Sequence, residues 1–278
     1  MKLRYFFNFS FLFELFLFAF TMYLSIGVAL SLLQKAPTQT SASAEGLSAW
    51  QFIIMFIVAT VILLVILKYF KKPWLIQGLF YLAIIEGLLF FSQAFFDWPN
   101  FLYVVAFLLL SWAFYRNIFI HNVIIVLAVS AIAVIFGLNF MPSAVILILL
   151  FLAIYDFWAV YKTKHMVKMF SGIAKAKVHF SLIIPQSFKS LFKKTKTVSP
   201  SIEFMFLGTG DLALPAILVV SSLKISQLTA LLTALGAVCG FVFLYILFIT
   251  QKKRAPMPGL PPIILGTLLG FLAYFLIV

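Results

Sequence analysis

The chain has 278 residues, 65% of them hydrophobic and only 10% charged, with a mean hydropathy of +1.18. An ordinary soluble domain is about half apolar and about a quarter charged, so this chain has too little polar surface to coat a water-soluble globule, and lipid is its expected solvent. The single cysteine, Cys239, excludes an internal disulfide and a Cys-based zinc site. His121, His165 and His179 are too scattered to form a metal constellation, so neither metal nor cofactor is expected.

Crossing roughly 30 Å of hydrocarbon takes about 20 helical residues. Charged and Pro- or Asn-containing breaks divide the chain into nine predicted spans, 8–33, 48–67, 74–95, 99–115, 120–138, 142–161, 204–222, 227–250 and 260–278. Ala42-Ser43-Ala44 resembles a signal-peptidase site. The apolar run before it reaches Leu33, however, which is longer than the roughly 7–15 residues of a signal-peptide core, and it is read as a retained helix. Asn8-Phe9-Ser10 matches a glycosylation sequon at the edge of that helix and is read as a chance match. The fold class is therefore an all-α polytopic membrane protein with nine transmembrane helices.

The net charge of +13 raises nucleic acid as a partner, but the placement of the charges favours a membrane topology. With the N-terminus cytoplasmic, the inside segments are 1–7, 68–73, 116–119, 162–203 and 251–259. These contain every one of the 20 Lys and Arg residues except Lys35 and Lys224. Basic residues concentrate on the cytoplasmic side, so the N-terminus is expected inside and the C-terminus outside. Charge spread over five separate loops does not make a nucleic-acid surface. The 162–203 loop, with nine lysines, has the charge to meet anionic lipid headgroups. It divides the chain into an N-terminal part of six spans (1–161), the loop itself (162–203) and a C-terminal part of three spans (204–278). Within the loop, Phe180-Ser181-Leu182-Ile183-Ile184 is apolar enough to lie on the membrane surface or to pair as a short strand. The outside loop 34–47, rich in Ser, Thr and Ala, reads as a flexible connection.

Four acidic residues fall inside predicted spans: Glu14, Glu86, Asp156 and Asp211. A carboxylate facing lipid costs several kcal/mol, so each is expected to face the bundle interior or water. Asp156 lies near the end of a span running inward, and Asp211 near the start of the next span running outward. At about 1.5 Å per residue both sit roughly 7–11 Å below the cytoplasmic face, so they can meet. Two such carboxylates in a low-dielectric site do not both ionise easily and share a proton. The ionised one can activate a water, while the protonated one polarises a carbonyl and protonates the leaving amine. The bland alternative is helix pairing or a cation path. Gly208-Thr209-Gly210 precedes Asp211, and Pro215 follows it. The glycines allow close backbone approach and weaken the helix near its start. Glu14 reads as hydrated near the cytoplasmic interface, and Glu86 as an internal group bonded to Gln93 or Tyr81. Gly236/Gly240 and Gly266/Gly270 read as helix-packing pairs.

Tyr155-Asp156, Gly208-Thr209-Gly210-Asp211 and Pro258-Gly259-Leu260-Pro261, in the sixth, seventh and ninth spans, resemble the marks of the presenilin and signal peptide peptidase family of intramembrane aspartyl proteases, especially its microbial members. The likeness covers most of the chain, including the basic loop before the seventh span. It implies an aspartic endopeptidase that uses Asp156 and Asp211 as its catalytic pair. Tyr155, Gly208, Thr209, Gly210, Pro258, Gly259, Leu260 and Pro261 would shape the site and hold substrate. Gly259 stands where the family has alanine. The resemblance further implies transmembrane protein substrates, no cofactor, and an integral, multi-pass location, here in a prokaryotic cell membrane. The N-inside orientation looks like that of presenilins, which implies substrates with extracellular N-termini. The sequence names no substrate and no partner subunit.

The alternatives are of different classes. A transporter or channel would use Asp156, Asp211 and Glu86 as a cation or proton site. A prepilin-peptidase-like enzyme would usually carry lysine where this chain has Ala213, together with a cysteine-rich zinc module. A non-catalytic scaffold would keep the fold alone.

Overall fold

The structure, a computed structural model, describes residues 8–35, 54, 58, 73–160, 181–195, 198, 203–251 and 257–277. In chain order its elements are α1 (Phe9–Lys35), α2 (Pro73–Phe95), α3 (Asn100–Tyr115), α4 (Ile118–Asn139), α5 (Pro142–Trp158), β1 (Ser181–Pro185), β2 (Phe204–Gly208), α6 (Thr209–Ser222), α7 (Gln227–Thr250) and α8 (Leu260–Ile277), with a 3-10 turn at Phe188–Phe192. Their starts follow local chemistry. Asn117 caps α4 by accepting the Ile120 amide at 2.9 Å, Ser226 caps α7 by accepting the Thr229 amide at 3.0 Å, and Pro142 opens α5.

Helices α1, α4, α7, α8 and residues Gln77–Phe95 of α2 are each long and apolar enough to cross a membrane, whereas α3, α5 and α6 are shorter apolar helices. The expected spans 8–33, 74–95, 99–115, 120–138, 142–161, 227–250 and 260–278 each overlap one of these helices. The expected span 48–67, apart from residues 54 and 58, lies outside the described residues. So do most of loop 34–47, residue 161, and residues 162–180, 196–197 and 199–202 of the basic loop.

One expectation is corrected. The span predicted over 204–222 is not helical throughout: Phe204–Gly208 is β2, antiparallel to β1, with Ser181 opposite Gly208 and Pro185 opposite Phe204. The aromatic, alternating run Phe204-Met205-Phe206-Leu207 suits a strand, and pairing satisfies its backbone where water is scarce. Residues 181–184 of the predicted apolar run lie in the other strand of this ladder.

The core centres on α4. Its buried Ile124, Ile125, Ala128 and Val129 cluster with Phe18 and Met22 of α1, Ile84 and Leu88 of α2, and Leu212, Ala216 and Val219 of α6. Several buried hydroxyls are satisfied within their own helices, as in Thr21 to Leu17 O (2.8 Å), Ser130 to Val126 O (2.7 Å) and Thr267 to Ile263 O (2.7 Å). The two lysines outside the expected basic side both have partners. Lys35, ending α1, reaches Asp97 just past α2 at 3.0 Å, and Lys224, between α6 and α7, donates to the Phe140 carbonyl at the end of α4 at 2.9 Å. Helices α1, α2, α4 and α6 therefore finish at one end of the bundle. Arg116, Lys193 and Glu203 gather at the other, where Lys193 pairs with Glu203 at 3.1 Å and Thr195 N–H donates to the Arg116 carbonyl at 2.8 Å.

Helices α7 and α8 touch backbone to backbone. A Cβ on Gly236 would meet the Gly266 carbonyl oxygen and lie 2.7 Å from Gly270 Cα, while one on Gly240 would lie 2.7 Å from Pro262 O. Since no backbone can yield there, Gly236→Ala and Gly266→Ala are expected to destabilise the protein by about 1–3 kcal/mol. Gly27→Ala, with nothing within 4 Å of the added carbon, should be neutral. Thermal unfolding in detergent distinguishes them.

Candidate active site

The site is built where extended backbone gives way to helix. Asn122 of α4, buried at 1% exposure, grips β1 through both halves of its amide. Its Nδ2 donates to the Ile183 carbonyl at 2.7 Å, and its Oδ1 accepts the Ile183 amide at 2.9 Å. His121 Nε2 lies 3.2 Å from the Ser181 carbonyl. Asn122 thus occupies the edge of β1 as another strand would. β2 hangs on β1 and leads through Gly208 (φ −63°, ψ 137°) directly into α6, so Asp211 falls in the first turn of that helix.

Asp156 stands at the opposite kind of terminus, in the last turn of α5, and is 6% exposed. The two aspartates meet at the start of α8. The Leu260 N–H donates to Asp156 Oδ2 at 3.2 Å, and the Gly259 amide also bonds this carboxylate. These are amides that a helix start leaves without intrahelical partners, so Asp156 caps α8 from a neighbouring helix. On the other side, a Cβ on Gly259 would lie 3.3 Å from Asp211 Oδ2 and 3.6 Å from its Cγ. Gly259-Leu260 is thus flanked by both carboxylates.

A cavity of about 180 Å³ opens beside Asp211, lined by Glu14, Met205, Phe241, Leu244, Tyr245, Phe248, Met257 and Gly259 as well. Glu14 is a correction to the sequence reading. It is not a hydrated residue at an interface but is only 8% exposed and faces the cavity that Asp211 lines. Phe11, Glu14 and Phe18 share one face of α1, and the flanking rings stack on α7, Phe11 on Tyr245 at 3.9 Å and Phe18 on Phe241 at 4.7 Å. The i, i+3, i+7 spacing was present in the sequence, but nothing there says that α1 packs on α7.

The remaining expected site residues divide. Gly208 sits against Asp211, 3.3 Å from Asp211 Oδ2 at its Cβ position, whereas Gly210 has nothing within 4 Å and leaves open space. Thr209 is half-buried at the start of α6, Pro258 is buried, and Pro261 is half-buried in the first turn of α8. Tyr155 is not brought to the cavity: it is 63% exposed, because its neighbour Asp156 takes the inward face of α5. Glu86 is also exposed, on α2, so the expected internal group is a surface one among the described residues. It does not line the cavity.

Two neighbouring aspartates, Asp156 buried and Asp211 half-buried, in an apolar helical bundle are an arrangement that suits an aspartyl protease of membranes. The family model of Signal-peptide peptidase, presenilin aspartyl protease matches residues 15–278, and the chain belongs to this family. Among solved structures, a presenilin family intramembrane aspartate protease in a C222 crystal form is similar with a TM-score of 0.65 and 22% identity, covering 96% of this chain and 99% of that one. One in a P2 form is similar with a TM-score of 0.58 and 24% identity, covering 94% and 97%. Those likenesses carry the fold, and the family carries the activity, an intramembrane aspartic endopeptidase. No curated protein matches the chain.

Two substitutions test this construction. Asn122→Ala removes both bonds to Ile183 and leaves its backbone groups buried, at an expected cost of about 1–3 kcal/mol, with faster amide exchange at Ile183. Gly259→Ala restores the family alanine against a side-chain oxygen that can rotate aside, so proteolysis should remain within about tenfold of the parent. Gly259→Val should abolish it.

Proposed function

We propose that Asp156 and Asp211 are the catalytic pair and that the segment Pro258-Gly259-Leu260-Pro261 holds them at working distance while presenting backbone to the substrate. The observation that carries this reading is the placement of Gly259-Leu260 between the two carboxylates. The ionised carboxylate accepts a proton from a water, whose oxygen bonds to the carbonyl carbon of the substrate peptide. The protonated carboxylate donates to the carbonyl oxygen, giving a tetrahedral diol. The C–N bond then breaks as the nitrogen takes a proton from one carboxyl and a diol hydroxyl gives its proton to the other carboxylate, which releases amine and acid and leaves the pair again sharing one proton. The open space beside Gly210 and the extended backbone of β2 favour an unwound substrate at this point.

The substrates are transmembrane proteins, in keeping with the family, and the proposed topology has nine spans with the N-terminus cytoplasmic. Supporting it, Lys35 and Asp97 join the C-terminal ends of α1 and α2. Two parallel consecutive helices need an intervening return across the membrane, which is the role of the predicted span 48–67. The division into 1–161, the basic loop 162–203 and 204–278 follows, with the loop against anionic lipid. A prokaryotic cell membrane is the proposed location. An ion site of Asp156, Asp211 and Glu86 is disfavoured by the exposure of Glu86.

Purified protein in bilayers is expected to cleave a designed single-span substrate. Asp156→Asn and Asp211→Asn should each lower the rate by roughly 10²–10⁴-fold. Cleavage surviving either substitution at the parent rate would refute the pair.

A further inference from the structure

The cavity beside Asp211 holds a feature that peptide hydrolysis by two aspartates does not use. Glu14 supplies a third carboxylate, nine-tenths buried, in a wall otherwise made largely of Met205, Phe241, Leu244, Phe248 and Met257. A buried carboxylate at this depth costs several kcal/mol and needs a reason to be kept. Packing supplies none, since the rings that flank it on α1, Phe11 and Phe18, already fill the seam against α7. Among the described residues, those that line the cavity include two acids, Glu14 and Asp211, and no cation, and no hydrogen bond or ion pair neutralises Glu14. At about 180 Å³ the cavity is smaller than the roughly 300–1,000 Å³ of a site for a separate ligand, so its size suits one side chain of something already bound alongside.

We propose that this cavity is a specificity subsite of the protease, taking a lysine or arginine side chain of the substrate from a position near the scissile bond, with Glu14 as the residue that selects the cation. The proposal rests on Asp156 and Asp211 being the catalytic pair. A long basic side chain matches both parts of the wall. Its methylene stem lies along the methionine, leucine and phenylalanine surface, and its charged head reaches the carboxylate. Tyr245 lines the same cavity and places a phenol in the wall beside the head. The protein thereby reads the polar residue of a transmembrane segment, the residue least at ease in lipid, and takes it in beside the reacting bond. An aspartate or glutamate at the same substrate position would meet the acids Glu14 and Asp211 in place of a complementary group and be rejected.

The test compares single-span substrates differing only at one position near the cleaved bond, with Met, Lys or Glu placed there in turn, cleaved by the full chain in bilayers. For the parent protein, Lys is expected to raise kcat/KM over Met by about tenfold or more, the scale of a hydrogen bond to a charged group, and Glu to lower it. Glu14→Gln should shrink the Lys preference and Glu14→Leu should remove it, with the Met substrate still cleaved by both. A parent protein that cleaves Lys and Met substrates equally at every position overturns the subsite, whatever the fate of the variants. So does a Lys preference unchanged by Glu14→Leu. A parent protein that cleaves none of the substrates overturns the catalytic pair as well, so the two failures are told apart.

Discussion

The amide of Leu260 donating to the Asp156 carboxylate is the contact on which the rest of the site depends. It joins the last turn of α5 to the first turn of α8, and it gives a costly buried charge a structural partner that any helix start can offer. Because Gly259 lies on the same backbone and against Asp211, one short segment touches both aspartates. A side chain at position 259 is therefore limited by the space between a carboxylate and Leu244, which explains why only very small residues suit it.

That arrangement is held from outside by two unlike devices. The α7–α8 seam, in which Gly236, Gly240, Gly266 and Gly270 bring the helices into backbone contact, sets the position of the α8 start relative to α7. The hairpin clamped by Asn122 sets where β2 ends and α6 begins, and with it the height of Asp211. One device exploits the absence of side chains and the other a single polar side chain. Both avoid leaving backbone polar groups unsatisfied in a medium that cannot hydrate them. Around them the apolar core centred on α4 provides shape without chemistry.

Much of this was readable in the sequence. Apolar runs of about 20 residues located the described helices, and the two lysines outside the expected basic side, Lys35 and Lys224, are tied to partners where they stand. Asp156 and Asp211 could be matched because consecutive antiparallel helices place equal distances from one face at equal depth. The strand at 204–208 escaped because its residues are as apolar as a helix in lipid, and hydropathy does not distinguish the two; only a partner strand does. Glu14 was misread because its depth was inferred from its own helix, while its role depends on α7, more than two hundred residues away. Tyr155 was assigned to the site through its neighbour in the motif, yet adjacent helical residues point about 100° apart, and one of the pair had to face outward.

The most direct test of paired action by Asp156 and Asp211 is calorimetric binding of a peptide isostere bearing a hydroxyl in place of the scissile carbonyl. A hydroxyl seated between two carboxylates needs both of them. Joint action predicts tight binding to the parent protein and loss of binding in Asp156→Asn and in Asp211→Asn alike. Undiminished affinity in either variant would contradict it.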